Sequence, residues 1–392
     1  MRVLLVTQDF PPERGGIQTY CHELARHLHA QGHAVRVVCP DPPGAAEIDA
    51  ALPFPVTRVR IKNSLLWAWV LRHLDRVVGE FRPDAILYAQ WQSGVWNLLP
   101  GERASRAVAQ ATLVHGRELF LSVFRGLTRP FAARVLRRMD VAIPNSRAVR
   151  DLLKPLRPSG ETSIVHPGVD ARRFSRGNHD AVKSRLGWSG CQVVGLIARL
   201  VPRKNVAALL RAAAALRERH PGLRVLVGGE GPDGDRLRAL CGELRLDDIC
   251  HFAGPVAAGE LADHYAALDV LVMPAVSTPT DLEGFGIVYL EAGALGVPSL
   301  AYRSGGVADA IKDRRSGILV TQGDETALQA ALSDLLANEP LRRRLGIEAR
   351  ARASALDWSA NARAIADILA RCAAAKSPTR GPPDPAARTT SP

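Results

Sequence analysis

The sequence predicts an α/β fold of two parallel-sheet domains facing each other across a cleft. Three observations carry that expectation. The chain has 392 residues, about two domains at ~100–200 residues each. Short apolar runs alternate with helical patterns over two separate stretches, as in parallel sheets linked by helices. A polar segment between the stretches, Val169 to Ser189, carries Arg172-Arg173, Arg176-Gly177-Asn178 and Gly187. Ligands in such folds bind beyond the carboxyl ends of the strands, so the site is expected in the cleft. The expected division is 1–170 for the first domain and 171–356 for the second.

The elements follow in order. Val3 to Thr7 reads as a buried strand. Ile17, Tyr20, Cys21, Leu24 and Leu28 recur at helical spacing and Gly32 ends that helix. Val35–Cys39, Ala85–Tyr88 and Ala111–Val114 are the next apolar runs. The second stretch repeats the scheme with strands expected at Val193–Ala198, Val225–Gly229, His251–Gly254, Val270–Pro274 and Ser299–Tyr302. From Lys376 to Pro392 the chain is rich in Ser, Pro, Thr and Gly with few large apolar residues, which predicts a disordered tail, 376–392.

Composition narrows the function classes. Apolar residues make up 47%, enough for two cores. No run reaches the ~18 apolar residues of a membrane span. The N-terminal strand is too short for a signal peptide, so a cytoplasmic protein is expected. The six cysteines form no C-x-x-C pair and no Cys/His cluster with metal spacing; they read as reduced, small hydrophobes, and no metal site is expected. The net charge of +12 favours anionic partners: nucleic acid, anionic lipid or phosphorylated metabolites. An Arg- and Ala-rich composition also accompanies GC-rich coding, which accounts for much of the excess. No zinc-finger, RRM or KH pattern is present, which sets nucleic acid aside.

The span Glu283 to Glu291, E-G-F-G-I-V-Y-L-E, is the most informative motif. A helix starting near Gly286 would put Glu291 about 7.5 Å along its axis and leave Glu283 on the loop at its mouth. One carboxylate can accept hydrogen bonds from sugar hydroxyls and the other from a ribose, with a diphosphate between them. The helix N-terminus offers free N–H groups and a dipole end suited to an anion, and Gly284 and Gly286 allow close backbone approach. Two Glu at this spacing also occur by chance, so other motifs have to agree.

Several do. Arg199 and Lys204 follow the Val193–Ala198 run in A-R-L-V-P-R-K-N. Two cations at a strand's carboxyl end can clamp a diphosphate and stabilise it as it leaves. A solvated basic loop is the plain alternative. Arg203 falls outside the pair and is expected to be exposed. Gly15-Gly16 sits between the first strand and its helix and could admit a phosphate; an ordinary turn reads the same. It lacks G-x-G-x-x-G, so a nicotinamide-dinucleotide site is not supported. Gly228-Gly229-Glu230-Gly231-Pro232 is a further glycine turn after a strand, and His115-Gly116 closes the Ala111–Val114 run.

Together these segments resemble the retaining, nucleotide-sugar-dependent glycosyltransferases of family 4 (glycosyl transferases group 1), over roughly Met1 to Ala370. The resemblance rests on V-T-Q-D-F-P-P-E-R-G-G-I-Q-T-Y, H-G-R-E, Asn145-Ser146, H-P-G-V-D at 166–170, R-L-x-x-x-K-N, the Gly229–Gly231 turn and E-x7-E. It implies the GT-B fold, two Rossmann-like domains, and a last helix, 357–375, crossing back to the first. It implies donor contacts from Gly15, Gly16, Arg199, Lys204, Gly229, Gly231, Glu283, Gly284, Phe285, Gly286 and Glu291. Glu283 would orient the sugar and Glu291 the ribose. His115, Arg199, Lys204 and Glu283 would be the catalytic group, with His115 beside the reacting sugar. His115 and, with less support, Glu118 would line the acceptor side. The nucleotide sugar is a substrate, and no cofactor or metal is implied.

The first loop, H-P-G-V-D and L-E-G-F-G-I-V-Y-L-E look most like bacterial phosphatidylinositol mannosyltransferases. The expected activity is transfer of a hexose, mannose favoured, from a GDP- or UDP-sugar to a lipid-linked or glycan acceptor. Glycolipid, lipopolysaccharide and exopolysaccharide synthesis all remain open. An anionic membrane surface is a further candidate partner. Leu65, Leu66, Trp69, Val70 and Leu74 form an apolar stripe with Trp67 at its edge, and between Leu121 and Arg157 nine Arg/Lys face two Asp, with Arg134, Arg137 and Arg138 on one helix. Peripheral attachment to the inner face of the cell membrane stands beside the plainer reading, a helix core and a solvated face. Two other classes share such a fold: a sugar-nucleotide epimerase, and an inactive module that binds sugar nucleotide or membrane. Fold alone does not choose among them.

Overall fold

The computed structural model describes residues 1–13, 15–59, 67–98, 108–119, 125–174 and 176–376, with backbone alone at 67–73, 117 and 125–128. The first domain is built on seven parallel strands, β1 (Arg2–Val6), β2 (Ala34–Pro40), β3 (Val56–Val59), β4 (Ala85–Tyr88), β5 (Ala109–Val114), β6 (Val141–Pro144) and β7 (Glu161–Thr162), in the order β3-β2-β1-β4-β5-β6-β7. The second has six, β8 (Gln192–Ile197), β9 (Leu223–Gly228), β10 (Cys250–Gly254), β11 (Val270–Val272), β12 (Ser299–Arg303) and β13 (Gly317–Thr321), in the order β10-β9-β8-β11-β12-β13, again parallel. Each order reverses once, between β1 and β4 and between β8 and β11, which makes two doubly wound sheets. β4, β5 and β6 are buried at every residue, because helices cover both faces of a parallel sheet.

Every expected strand is present, some a residue or two shorter at the carboxyl end. Thr7, Ala198, Gly229 and Pro274 are loop residues, and Ala198 and Gly229 line the cleft. The helix opened by the glycine pair runs Gly16–Ala30 and buries Tyr20, Cys21, Leu24, Ala25 and Leu28, four of them on the expected stripe. All six cysteines are free thiols.

The two domains have separate cores. One face of the first sheet packs Leu5, Leu24, Leu87 and Leu113 with Trp358, Ala362, Ile365 and Leu369. These last four lie on the helix Trp358–Lys376, which thus crosses back to the first domain. That helix claims Lys376 from the expected tail: its Nζ reaches the Asp140 carboxylate at 2.7 Å and the Val108 carbonyl at 2.9 Å. The rest of the tail, 377–392, lies outside the described residues. The other face packs Leu4, Val6, Ile86, Trp96 and Leu136. Leu74 joins it, fully buried, so this member of the proposed membrane stripe is core. Leu65 and Leu66 lie outside the described residues, as do the side chains of Trp67, Trp69 and Val70.

The chain crosses between domains twice, side by side. Val165 packs in the first core and Val169 in the second. Val169 pairs with Asp357 as a parallel bridge and its N–H donates to the Leu356 carbonyl at 2.9 Å. A Cβ on Gly168 would lie 2.5 Å from the Trp358 nitrogen, so only glycine lets the two crossings touch. No helix of the described residues is long and apolar enough to cross a membrane.

Candidate active site

The cleft between the domains encloses ≈ 1210 Å³ and is lined from both sides. From the first domain come Asp9, the Gly15–Gln18 turn, Tyr20, His115 and Asn145; from the second come Arg199, Arg203, Lys204, Gly229, Gly231 and the run Leu282–Val288. All of these follow strand carboxyl ends, as the fold requires.

The loop after β8 makes one short helical turn, Pro202–Lys204, and Asn205 then takes a left-handed conformation (φ 52°), its side-chain amide donating to the Pro274 carbonyl at 3.2 Å. That turn aims Lys204 inward. Lys204 is only 8% exposed, and its Nζ donates to Glu283 Oε2 at 2.7 Å. Arg203 corrects the expectation of an exposed residue. Its guanidinium donates to the same Glu283 oxygen and, through Nε, to Asp281 Oδ2 at 3.2 Å. Two carboxylates flanking the loop pull it into the cleft, so the motif spacing underestimated the cationic set by one. Arg199 lines the cleft with its side chain exposed.

Burial alone would raise the Glu283 carboxyl, but the Lys204 ammonium and Arg203 guanidinium outweigh it and hold the group below the usual carboxylate range. Burial lowers Lys204 in turn, and the Glu283 charge works against that shift. The Glu283 carboxylate is therefore ionised at neutral pH.

Glu283 to Gly286 is held by the opposite domain. A Cβ on Gly284 would sit 2.2 Å from the His115 carbonyl oxygen, so this glycine permits close contact between the domains. Phe285 stacks on His166, ring centroids 5.3 Å apart. Leu282 is buried in the core of the first domain. Gly286 (φ 90°) precedes the helix Ile287–Ala294, whose first residues face the cleft. Glu291 lies on that helix where the spacing placed it, yet it is absent from the cleft wall: its carboxylate accepts from the Tyr265 hydroxyl at 2.7 Å. Burial raises it, against the hydrogen bond from Tyr265. Gly229 (φ 114°) has no space for a side chain, since a Cβ would lie 1.9 Å from the Ala198 carbonyl oxygen.

His115 and Gly116 follow β5. Burial lowers His115 to about 4, with a hydrogen bond to the Ala89 backbone opposing the shift, so the imidazole is neutral at pH 7. Nε2 is buried without a partner. The ring meets Tyr20 edge-on at 5.0 Å, and Tyr20 meets Trp358 at 5.2 Å. Glu118, expected on the acceptor side, is set back from the cleft. It is 4% exposed and accepts the His115 backbone N–H at 2.6 Å, so it sits behind the cleft wall and shapes the turn that presents His115. Ser146 caps the helix Arg147–Leu153 by accepting from the Val149 N–H.

Asp9, Gln18, Gln90 and Tyr20 were not singled out from sequence. Tyr20 fell on the apolar helical stripe, and the others lie in three segments with no fixed spacing. Among the described residues no group of three or more His, Cys, Asp or Glu has metal-binding geometry.

Comparison with known proteins agrees with this geometry. The family model Glyco_transf_4, Glycosyltransferase Family 4, matches residues 14–173, and Glycos_transf_1, Glycosyl transferases group 1, matches 183–352. The chain is 34% identical over 386 residues to the GDP-mannose-dependent alpha-(1-6)-phosphatidylinositol monomannoside mannosyltransferase of Mycolicibacterium smegmatis, covering 94% of this chain and 98% of that one. The Mycobacterium tuberculosis protein of the same name is 31% identical, with the same coverage of both chains. In fold, the Anabaena HepE protein in complex with UDP superposes with a TM-score of 0.80 at 21% identity, over 95% of this chain and 100% of that one. Matched along both halves and in both folds, the chain belongs to the family 4, group 1 glycosyltransferases of the GT-B fold, and it is a hexosyltransferase.

Proposed function

We propose that this protein transfers mannose from GDP-mannose, with retention, to a phosphatidylinositol-based glycolipid acceptor. The observation that carries the reading is that Arg203 and Lys204 bond Glu283 in a cleft also lined by Arg199 and the N-terminus of the Ile287–Ala294 helix. That is a site for a diphosphate beside a hydroxyl acceptor. The printed activity of the mycobacterial relatives supports the choice of base, sugar and acceptor class.

In the proposed step the acceptor oxygen bonds the anomeric carbon on the face from which the phosphate departs. The carbon–oxygen bond to phosphate breaks, and the acceptor proton leaves with that phosphate. Arg199 and Lys204 stabilise the charge that develops. Glu283 orients the sugar and neutral His115 accepts from a sugar hydroxyl through Nε2. Side chains supply the positive charge, so no metal or cofactor is proposed. Glu291 is proposed to reach the ribose once the donor displaces its bond to Tyr265. We place the protein in the cytoplasm, peripheral on the inner face of the membrane. Exposed Arg129, Arg134, Arg137 and Arg138 with Phe131, 53% exposed, support that attachment.

The test is a thermal-shift screen with GDP, UDP, ADP and their sugar conjugates. A shift with GDP and GDP-mannose is expected. A shift confined to uridine nucleotides would move the donor to a UDP-sugar, and no shift with any nucleotide would overturn the reading. Release of GDP independent of any acceptor would favour an epimerase.

A further inference from the structure

The loop after β1 and the first turn of the helix Gly16–Ala30 supply Asp9, Glu13, Gly15, Gly16, Ile17 and Gln18 to the cleft wall. Both ends of this loop are held. The Asp9 N–H donates to Thr7 Oγ1 at 3.0 Å, and the Gly15 carbonyl accepts from the Thr19 N–H at 3.0 Å. The middle is held differently. Pro11 and Pro12 carry no N–H, and among the described residues the stretch Phe10–Glu13 makes one hydrogen bond. It comes from Arg58, whose Nη2 donates to the Pro11 carbonyl at 2.8 Å.

Arg58 stands on β3, the edge strand, and is not itself on the cleft wall. Its guanidinium also donates through Nε and Nη2 to the Asp49 carboxylate at 2.9 and 2.7 Å, and through Nη1 to the Pro40 carbonyl at 2.9 Å. Its face lies 5.5 Å from the centre of the buried Phe10 ring. One planar group thus ties the end of β2 and the helix Ala45–Ala50 to the first loop, by its edge and by its face. The side chain is only 10% exposed, so water competes little for these bonds. A rigid fork of N–H donors suits this task, whereas an ammonium is a point charge without a plane.

We propose that Arg58 is a positioning residue for sugar transfer: from outside the cleft, through Pro11 and Phe10, it sets the place of the first loop so that Gly15 and Gly16 meet the donor opposite Arg199 and Lys204. This rests on the transferase reading above. In that reading the second domain supplies the cations for the diphosphate, so the loop counts in the transition state more than in GDP affinity.

The experiment measures steady-state transfer from GDP-mannose to phosphatidylinositol monomannoside in mixed micelles, beside a calorimetric titration with GDP. Arg58→Lys keeps the charge and loses the fork. Its kcat is expected to fall ~10–100-fold, the scale of a reacting group misplaced by about an ångström. The number of GDP sites per chain should equal that of wild type, with Kd within about twofold. A purely structural role would instead remove GDP sites in proportion to kcat, and that result would overturn the proposal. So would a kcat within about twofold of wild type. If Arg58→Lys fails to fold, Phe10→Leu decides by the same split, since it keeps an apolar side chain but takes the ring from the guanidinium face. A lower kcat at a full count of GDP sites supports the proposal there, and an unchanged kcat overturns it. A wild-type protein that neither binds GDP nor transfers would bring down the transferase reading, and this inference with it.

Discussion

Lys204→Ala tests the cationic half of the site on two independent scales. The ammonium is 8% exposed and 2.7 Å from Glu283 Oε2. Its removal takes a charge from the place where the leaving diphosphate would sit, and a lost preorganised contact of that kind typically costs ~10²–10³ in turnover, or about 2.7–4 kcal/mol. It also leaves Glu283 buried with Arg203 alone. Orphaning one half of a buried pair costs ~3–5 kcal/mol. Because Arg203 stays bonded to the same oxygen, a smaller loss of ~1–3 kcal/mol is expected in urea unfolding.

The pH dependence has a definite sign. Glu283 titrates below its unfolded value of ~4.3, so its pairing stabilises the fold fully above that pH and is lost as pH falls through the folded value. With Lys204 gone the folded value rises, and the variant should lose stability on acidification by less than wild type does. Glu283→Gln should lower turnover by ~10²-fold or more. The double variant should be less destabilised than the sum of the singles, since both act on one hydrogen-bonded pair. Turnover of Lys204→Ala within about threefold of wild type, far short of the loss expected for a transition-state contact, would refute the reasoning. So would an unchanged acid unfolding profile.

Three further outcomes are expected. His115 titrates at about 4 when folded and ~6.5 when unfolded, so the unfolded chain binds the extra proton between these values. Stability should fall as pH drops from ~6.5 to ~4, by up to about 3 kcal/mol, and His115→Gln should lose that component in urea titrations. Gly284→Ala would drive a Cβ to 2.2 Å from the His115 carbonyl; overpacking of ~1–3 kcal/mol should open the domain seam, seen as a larger radius of gyration in solution scattering and weaker GDP binding. Trp358→Ala removes a ring, 3% exposed, from the first-domain core and from Tyr20; a loss of ~3–5 kcal/mol is expected in unfolding.

The long, purely apolar strands were legible because a parallel sheet covered on both faces needs no alternation. Val193–Ile197 and Val225–Gly228 fall within this class. Val56–Val59 mixes Thr and Arg into four residues, Val141–Pro144 is short and ends in proline, and Glu161–Thr162 is two residues long. None of these carries a periodic signal, and each is a strand because a neighbour offers its edge. Gly317–Thr321 is also apolar at its start, but it follows a charged turn and was passed over. In the site, Lys204 and Glu283 were legible as motif residues, whereas Arg203 was not, because its role depends on Asp281 and Glu283 arriving from a loop almost eighty residues away. Glu118 looked like a cleft residue because it stands three after His115; the turn between them points its carboxylate back at the His115 N–H. Asp9 owes its place to amides from two other segments, a relation no local spacing encodes.

The most direct measurement is the anomeric configuration of the product formed from GDP-mannose and phosphatidylinositol monomannoside, read by proton NMR together with acceptor-dependent release of GDP. The account expects an α-linked mannoside, matching the α configuration of the donor, and GDP release that rises with acceptor. A β-linked product would contradict retention in this cleft, and GDP-mannose left unbound and unconsumed would contradict the assignment of the donor.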